Sequence, residues 1–257
     1  MAQSSENFTG LTTCQRLYWT PKLTPPPMSI EERRQEEKEQ RRRTILDAAE
    51  IVLTEKGRDE MTMADIADEA RLSRSLLYVY FEDMDDIVLG VTRRGFQSMR
   101  KRFEAAVGEH DSGLYQIGAV GNAYVAFSQE EPTYFDLVAQ FESRTADADD
   151  MTERMRQCLA ESDRVLDVMA EAIQNGIDDG SIRADLDPME TAVTLWGSTH
   201  GLIQLAANKG TGLKRRHGLS PDSLVDGGLA FLGVALEGRP VNGSDEEPAE
   251  QNGSADV

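Results

Sequence analysis

Five side chains within a short stretch of this sequence have the chemistry needed to contact double-stranded DNA. An Arg can bridge atoms O6 and N7 of guanine, a Leu can contact the methyl group of thymine, and hydroxyl groups can bind phosphates. The outward face of a helix over residues 74–80 would present Arg74, Ser75, Leu76, Tyr78 and Tyr80. The stretch predicts a recognition helix, with plain solvation of Arg74 and core packing of Tyr78 or Tyr80 as the alternatives.

The preceding residues predict the partner helix of a helix-turn-helix. Thr62 is expected to begin that helix as a hydroxyl N-cap, and Ser73 is expected to cap the recognition helix. In such a pair the first helix crosses the DNA backbone and the second lies in the major groove, so Thr62 also counts among the expected DNA contacts. The apolar residues expected to fix the crossing of the two helices are Ile66, Ala67, Ala70, Leu72 and Leu77.

A run of arginines precedes the first amphipathic helix. Basic arms in this position can reach phosphates or the minor groove, which makes Arg41 and Arg43 candidate DNA contacts. Glu36, Glu37 and Glu39 are interleaved with basic residues just upstream, so a solvated helical face is the alternative.

The charge of the chain is distributed unevenly. The formal net charge is -19, yet residues 33–103 carry 15 Lys and Arg against 15 Asp and Glu. Residues 104–257 carry 10 against 28, a balance of -18, and residues 1–32 supply the remaining -1. The N-terminal part is therefore not excluded from binding nucleic acid by the overall acidity.

Apolar residues recur at helical spacing through most of the 257-residue chain, which predicts an all-α fold of about nine helices. Gly57 is placed to end the first helix in a left-handed cap. A fourth helix from about Asp83 to Val107 is expected to bury Ile87, Val88, Val91, Phe96, Met99 and Phe103. Later helices are predicted over residues 112–129, 132–144, 149–177, 188–208 and 221–237. Residues 1–30 and 238–257 should be disordered tails, with Met28 as a candidate true start.

Several function classes find no support in the sequence. No apolar run approaches the roughly 20 residues of a membrane span, and no secretory signal is recognisable. The two cysteines, Cys14 and Cys158, suit a reducing compartment, so we expect a cytoplasmic protein. The histidines, His110, His200 and His217, are not at metal-ligand spacing, and no Gly-rich phosphate loop follows a strand. We expect no metal, no cofactor, no catalytic residue and no enzymatic activity.

Residues 62–81 resemble the helix-turn-helix of the TetR family of transcriptional regulators. The family motif reads Thr, three residues, Ile-Ala, a Gly-Val-Ser turn, Leu-Tyr, one residue, and Tyr or His before Phe. The matching positions are Thr62, Ile66-Ala67, Leu72-Ser73, Leu77-Tyr78 and Tyr80-Phe81. The resemblance implies a three-helix DNA-binding domain over residues 31–82 and a C-terminal domain for effector binding and dimerisation over residues 83–237.

Two positions depart from the family pattern. The turn glycine is replaced by Arg71, which must accept a left-handed backbone or alter the turn, at a cost of roughly 1 kcal/mol. The lysine that follows the recognition helix, and commonly contacts phosphate, is replaced by Met84. Met84 lies in what we call the acidic cluster: Glu82, Asp83, Asp85 and Asp86. Because this cluster would repel DNA, an interaction scaffold that has lost specific DNA binding is the alternative function.

Trp196, His200 and Gly201 resemble the signature of a C-terminal domain found in a subset of that family. There the last two long helices form a four-helix bundle with those of a second subunit. Small residues such as Gly197 and Gly227 would permit this, and packing within one chain is the alternative. Small-molecule pockets are mostly apolar with a few placed polar groups. On that basis the candidate effector contacts are Tyr124, Phe127, Phe141, Trp196 and His200.

Taken together, these features predict a transcriptional repressor. It should bind a palindromic operator as a homodimer and leave the DNA when an unidentified small-molecule effector binds. The expected route is a displacement of the fourth helix, which moves the two recognition helices out of the spacing of successive major grooves. Activation in place of repression is left open by the sequence.

Overall fold

The computed structural model describes residues 29–142 and 151–238 of the chain. Within these ranges the helices are α1 (Ile30–Lys56), α2 (Met63–Glu69), α3 (Arg74–Tyr80), α4 (Met84–Val107), α5 (Gly113–Glu130), α6 (Pro132–Glu142), α7 (Glu153–Asp178), α8 (Pro188–His217) and α9 (Pro221–Leu236). A single isolated bridge joins Ile182 to Glu237. The all-α fold of about nine helices is confirmed for the described residues. The tails predicted at residues 1–30 and 238–257 lie almost entirely outside them.

The chain divides into two compact units that meet in sequence between Arg41 and Arg42. In the first unit, α1 begins with a reciprocal cap: Ser29 N–H donates to Glu32 Oε2 at 2.7 Å, and Glu32 N–H donates to Ser29 Oγ at 3.1 Å. The second unit contains two hydrophobic cores, one among α1 to α4 with Leu137 of α6 and one among α4 to α9. The domain boundary expected after residue 82 stays a prediction.

The first core encloses the helix-turn-helix. Asp65 N–H donates to Thr62 Oγ1 at 3.2 Å and Thr62 N–H donates to Asp65 Oδ2 at 2.9 Å, so the predicted N-cap of α2 is a full capping box. Ser73 Oγ accepts from Leu76 N–H at 3.3 Å and caps α3 as predicted. The expected crossing residues take part in this core, Ile66, Ala67 and Leu77 fully buried and Ala70 and Leu72 partly buried.

Helix α4 belongs to both cores. Its predicted apolar stripe is buried throughout, with Ile87, Val88 and Val91 in the first core and Phe96, Met99 and Phe103 in the second. Gly95 admits α6 at close range, because a Cβ at Gly95 would lie 3.2 Å from Cβ of Tyr134. The continuity of this helix links the packing of the recognition helix to the packing of the C-terminal core.

Helix α8 is longer than the predicted range 188–208. It continues to His217 and ends at Gly218, whose φ of +73° makes the left-handed cap. Gly210 does not break the helix: it is buried, and a Cβ there would lie 2.6 Å from Cγ of Pro221. The glycine therefore serves the close approach of α9, and the predicted end of this helix at residue 208 was wrong.

The other late helices differ from the predicted ranges mainly at their ends. Helix α7 begins after its N-cap Thr152, and the parts predicted over residues 143–144 and 149–150 lie outside the described residues. Across the described chain, no single helix is both long and apolar enough to cross a membrane. The pair α8 and α9 reaches that length and composition only together, with a bend of 101° between them.

The turn between α2 and α3 is made without glycine. Arg71 has a φ of +56°, so the backbone keeps the left-handed conformation. This conformation is strained for a residue with a Cβ atom. Leu72 N–H donates to Ala67 C=O at 2.9 Å and closes the end of α2. The fold of the helix-turn-helix is thus preserved at the expense of local strain.

Replacing Arg71 with Gly should raise the free energy of unfolding by about 1 kcal/mol, because Gly takes a positive φ without the Cβ clash. The matched control is Arg71→Ala, which shortens the side chain but keeps the Cβ and hence the strain. Urea unfolding followed by circular dichroism measures both variants. An equal gain for Ala and Gly would contradict the assignment of the cost to the backbone.

Candidate nucleic-acid interface and apolar cavity

The exposed side of α3 carries both polar and apolar side chains above the first core, and Val79 is 71% exposed there. Arg74 and Ser75 are exposed, and Tyr78 is 51% exposed. Leu76 and Tyr80 are half-buried, and Tyr80 packs against the first core. Arg74, Ser75 and about half of the Tyr78 side chain are therefore accessible to a DNA molecule, with Ser75 Oγ 3.0 Å from Ser73 Oγ. Leu76 and Tyr80 present part of their surface.

Thr62 is engaged in the cap of α2. Its hydroxyl donates to Asp65 Oδ2 at 2.7 Å, and Lys56 Nζ lies 2.6 Å from Asp65 Oδ1. The hydrogen bonds from Lys56 and then from Thr62 lower the pKa of Asp65 to about 2, so this carboxylate is ionised at neutral pH. A phosphate bound at this helix start would meet the Thr62 hydroxyl beside a Lys56 cation that is already paired.

Arg41 and Arg43, the expected arm, are both exposed on α1. The backbone carbonyl of Arg43 accepts a hydrogen bond from Arg94 Nη2 at 3.3 Å. Arg94 Nη1 also lies 2.8 Å from Asp47 Oδ1 and 2.6 Å from Glu50 Oε1. These bonds fasten the second part of α1 to α4 beside the helix-turn-helix.

Most of the acidic cluster is used within the chain. Asp83 Oδ1 accepts from Asp86 N–H at 2.8 Å and caps α4. Asp85 Oδ1 lies 2.8 Å from Arg58 Nη2, and the Asp86 carboxylate pairs with Arg154 of α7. Two of the four negative charges are thus matched by a guanidinium, which weakens the repulsion expected toward DNA.

Arg154 ties α7 to the junction of α3 and α4, a contact that sequence reasoning missed. Its Nη2 lies 3.3 Å from Asp86 Oδ2, and its guanidinium carbon lies 4.8 Å from the ring centre of Phe81, the C-cap of α3. Asp86 Oδ2 also accepts from Glu82 N–H at 3.0 Å. Both partners are largely buried, with 18% of the Arg154 side chain and 16% of the Asp86 side chain exposed. No local signal marks this pair, because its members are 68 positions apart.

A small apolar cavity of about 70 Å³ lies in the second core, next to Phe103 at the end of α4. Of the five predicted effector contacts, Tyr124 and Trp196 line it. Thr199 lines it as well and was not predicted, because a Thr on a helix carries no signal of its own. The remaining lining is apolar side chains and glycine: Phe103, Leu114, Ile117, Gly118, Val120, Gly121, Met169, Leu195, Leu229, Leu232, Gly233 and Leu236.

His200 stands behind the cavity wall in an aromatic stack. Its Nδ1 lies 2.8 Å from the Tyr124 hydroxyl, and its ring centre is 5.2 Å from that of Phe135 and 5.6 Å from that of Trp196. Burial lowers the pKa of His200, so the ring is neutral at pH 7. The histidine therefore orients Tyr124, and it does not itself line the cavity.

The other two predicted effector contacts lie elsewhere in the core. Phe127 is completely buried, with its ring centre 6.4 Å from that of Tyr124. Phe141 meets Phe96 edge to face, with 5.7 Å between ring centres. Neither lines the cavity beside Tyr124, so their part in effector binding stays a prediction.

Helices α8 and α9 expose an apolar outer face. Phe231 is 74% exposed and Val234 is 67% exposed, and a Cβ at Gly197, Gly201 or Gly227 would meet no atom of the chain within 4 Å. Further members of this face are Val193 and Leu205. Gly228, by contrast, packs within the chain, because a Cβ there would lie 2.3 Å from Leu202 Cδ1.

Two family models match the sequence. The one described as bacterial regulatory proteins, tetR family, matches residues 45–91, and the one described as tetracyclin repressor-like, C-terminal domain, matches residues 117–232. The fatty acid metabolism regulator protein of Bacillus subtilis (strain 168) is 23% identical over 133 residues, 51% of this chain and 68% of that protein.

Solved structures share the fold. A protein with unknown function from Rhodococcus sp. RHA1 superposes with a TM-score of 0.62 at 21% identity, over 77% of this chain and 95% of that one. The transcriptional regulator FadR from Bacillus subtilis, in complex with stearoyl-CoA, gives a TM-score of 0.57 at 18% identity, over 76% of this chain and 98% of that one. At these identities the likeness establishes the common fold.

Replacing Arg154 with Gln should lower the free energy of unfolding by about 2 kcal/mol, because it leaves the largely buried Asp86 without its cation and Phe81 without its stacking partner. Arg156→Gln is the matched control, since Arg156 forms an ion pair at 3.0 Å with Glu153 in which both side chains are more than half exposed. Urea unfolding should show a much smaller change for the control. Equal losses in the two variants would contradict the structural role of Arg154.

Proposed function

We propose that this chain, which belongs to the TetR family of bacterial regulatory proteins, represses transcription by binding a palindromic operator as a homodimer until a small-molecule effector releases it. It is a transcriptional regulator and not an enzyme. The observation that carries the proposal is the outward side of α3, where exposed Arg74, Ser75 and Tyr78 stand on a helix that the first core holds in place. We expect it to act in the cytoplasm, where its operator lies.

The proposed DNA contacts follow from the chemistry of that surface. Arg74 bridges a guanine in the major groove, Leu76 contacts a thymine methyl group, and the Ser75 and Tyr78 hydroxyls bind phosphates. Tyr80 contributes only its accessible part. Thr62 and the arm residues Arg41 and Arg43 supply further backbone contacts, which would replace the lysine absent at Met84.

The alternative function, a scaffold without specific DNA binding, was favoured by the acidic cluster. The pairing of Asp85 with Arg58 and of Asp86 with Arg154 supports the DNA-binding proposal over this alternative. An ion pair presents a dipole in place of a net charge, and the repulsion of phosphates falls accordingly.

The proposed homodimer uses the apolar outer face of α8 and α9. Large contiguous apolar surfaces on a folded protein usually mark an interface, and the uncovered glycines allow helices of a second copy to approach closely. A two-fold axis through this face would give two α3 helices, which must be roughly 34–36 Å apart to enter successive major grooves.

The proposed release begins in the cavity beside Phe103. A ligand there shifts the protein only if it binds the conformation with the wrong helix spacing more tightly than the DNA-bound one. Because α4 runs from Phe103 to the residues that support α3, a displacement at the cavity end changes the position of α3. That FadR from Bacillus subtilis was solved in complex with stearoyl-CoA supports a small-molecule effector for this fold.

The best test is a gel-shift titration of DNA from upstream of the protein's own gene, repeated over a salt series. Arg74→Ala should weaken binding by roughly 1–3 kcal/mol if Arg74 reads a guanine. Arg215→Ala is the control, an exposed Arg near the C-terminal end of α8. Unchanged affinity for Arg74→Ala would remove it from the base-reading set, and the absence of any specific shift by the unmodified protein would favour the scaffold.

Phe231→Glu should convert the dimer to a monomer, because it places a charge in the centre of the outer face of α8 and α9. Loss of the second recognition helix should lower the affinity for a palindromic site by roughly a hundredfold. Sedimentation equilibrium measures the first effect and the gel shift the second. The control is Tyr115→Glu, which changes a side chain that is 69% exposed on α5. A Phe231→Glu protein that stays dimeric would place the interface elsewhere.

A further inference from the structure

The lining of the cavity contains no ionisable group that is charged at neutral pH. No Asp, Glu, Lys, Arg or His lies among its residues, in a chain whose net charge is -19. An ion that enters such a space gives up its hydration without gaining a partner. The lining therefore selects against any molecule that must insert a charged group.

Thr199 adds an unused polar group to this lining. The residue is only 5% exposed, and its hydroxyl makes no hydrogen bond to any residue that the structure describes. Thr92, the other buried threonine on a long helix, instead donates to the carbonyl of Val88 at 2.8 Å. Because Thr199 is nearly buried and lines the cavity, its hydroxyl is open to a polar atom supplied from the cavity.

The other hydroxyl group of the lining, that of Tyr124, is already engaged. The Tyr124 hydroxyl is held at 2.8 Å by Nδ1 of His200, the residue that follows Thr199 on α8. The Trp196 ring stacks on His200 and fixes the same part of the wall. Of the two hydroxyl groups in the lining, that of Thr199 is thus left open.

Glycines shape the opposite side of the cavity. A Cβ at Gly118 or Gly233 would meet nothing within 4 Å, and one at Gly121 would lie 3.1 Å from Leu229 Cδ2. Gly118 is exposed, so the cavity reaches the surface between α5 and α9. Side chains at these positions would fill part of the space, and a chain too long for the 70 Å³ cavity would extend through this opening.

We propose that the effector is an uncharged, mainly apolar molecule with one hydrogen-bonding group, which enters between α5 and α9 and binds the hydroxyl of Thr199. This inference rests on the proposed function, because it specifies the chemistry of the effector invoked there. The apolar body of the molecule replaces water against leucines of α8 and α9, and its polar group satisfies Thr199.

Three probes with the same chain length differ in the charge of the head group: 1-octanol is neutral, octanoate is negative and octylammonium is positive. Isothermal titration calorimetry with the full-length protein should show binding of 1-octanol, with both ions weaker by roughly tenfold or more, because each must lose its hydration to enter. Octanoate or octylammonium that binds as tightly as 1-octanol overturns the proposal. The same conclusion follows if none of the three probes binds.

Variants locate the site. Thr199→Val keeps the shape of the side chain and should weaken 1-octanol binding by about three- to tenfold, the loss of one neutral hydrogen bond. Thr194→Val, the same change at an exposed position of α8, should leave it unaltered. Gly233→Leu should abolish binding by filling the cavity, with circular dichroism to verify its helix content. Unaltered binding in Thr199→Val or Gly233→Leu overturns the proposed site.

Failure of the proposed ligand chemistry can be distinguished from failure of the proposed regulatory function. If 1-octanol binds in calorimetry but does not release the upstream DNA in a gel shift, the proposed release fails while the chemistry of the cavity stands. If the protein binds no DNA, the calorimetric comparison still decides the ligand class. If release occurs with octanoate and not with 1-octanol, the inference about charge fails and the regulatory proposal stands.

Discussion

The packing of α4 in two cores at once is the constraint on which the rest of the molecule depends. Ile87, Val88 and Val91 hold one end against the helix-turn-helix, and Phe96, Met99 and Phe103 hold the other end against the C-terminal helices. Because protein interiors are close-packed, neither end can shift without repacking its own core. Under the proposed release, a disturbance near Phe103 would therefore be passed along this helix to the residues that support α3.

The placement of the charged residues explains how a strongly acidic chain can bind nucleic acid. The excess of carboxylates lies beyond residue 103, and three of the four just after α3 (Asp83, Asp85 and Asp86) are used as caps or ion-pair partners. Asp83 stabilises the start of α4, where the helix dipole favours a negative charge. Arg58 and Arg154 then offset Asp85 and Asp86, so the net charge of the sequence is a poor guide to the field that a phosphate meets.

Features that depend on neighbouring residues were predictable from the sequence. Thr62 and Ser73 cap their helices because a hydroxyl finds a free N–H three residues on, and the stripe of α4 follows from its spacing. Contacts between distant positions were not predictable: Arg154 with Asp86, and Tyr124 with His200, depend on how whole helices pack. Helix α8 was predicted too short: it continues through Gly210, which packs against Pro221, as far as His217. Thr199 was missed because its place in the cavity lining depends on how several helices pack around it.

Two faces of helix α8 meet different surroundings. Trp196 and Thr199 look into the cavity, while Gly197 and Gly201 between and beside them lie on the uncovered outer face. Under the proposed function, effector recognition and subunit pairing therefore share residues 196–201, nearly two turns of the helix. A change of inducer specificity would then proceed through point substitutions that spare the glycines, and a chimera that transplants this segment would alter both properties together.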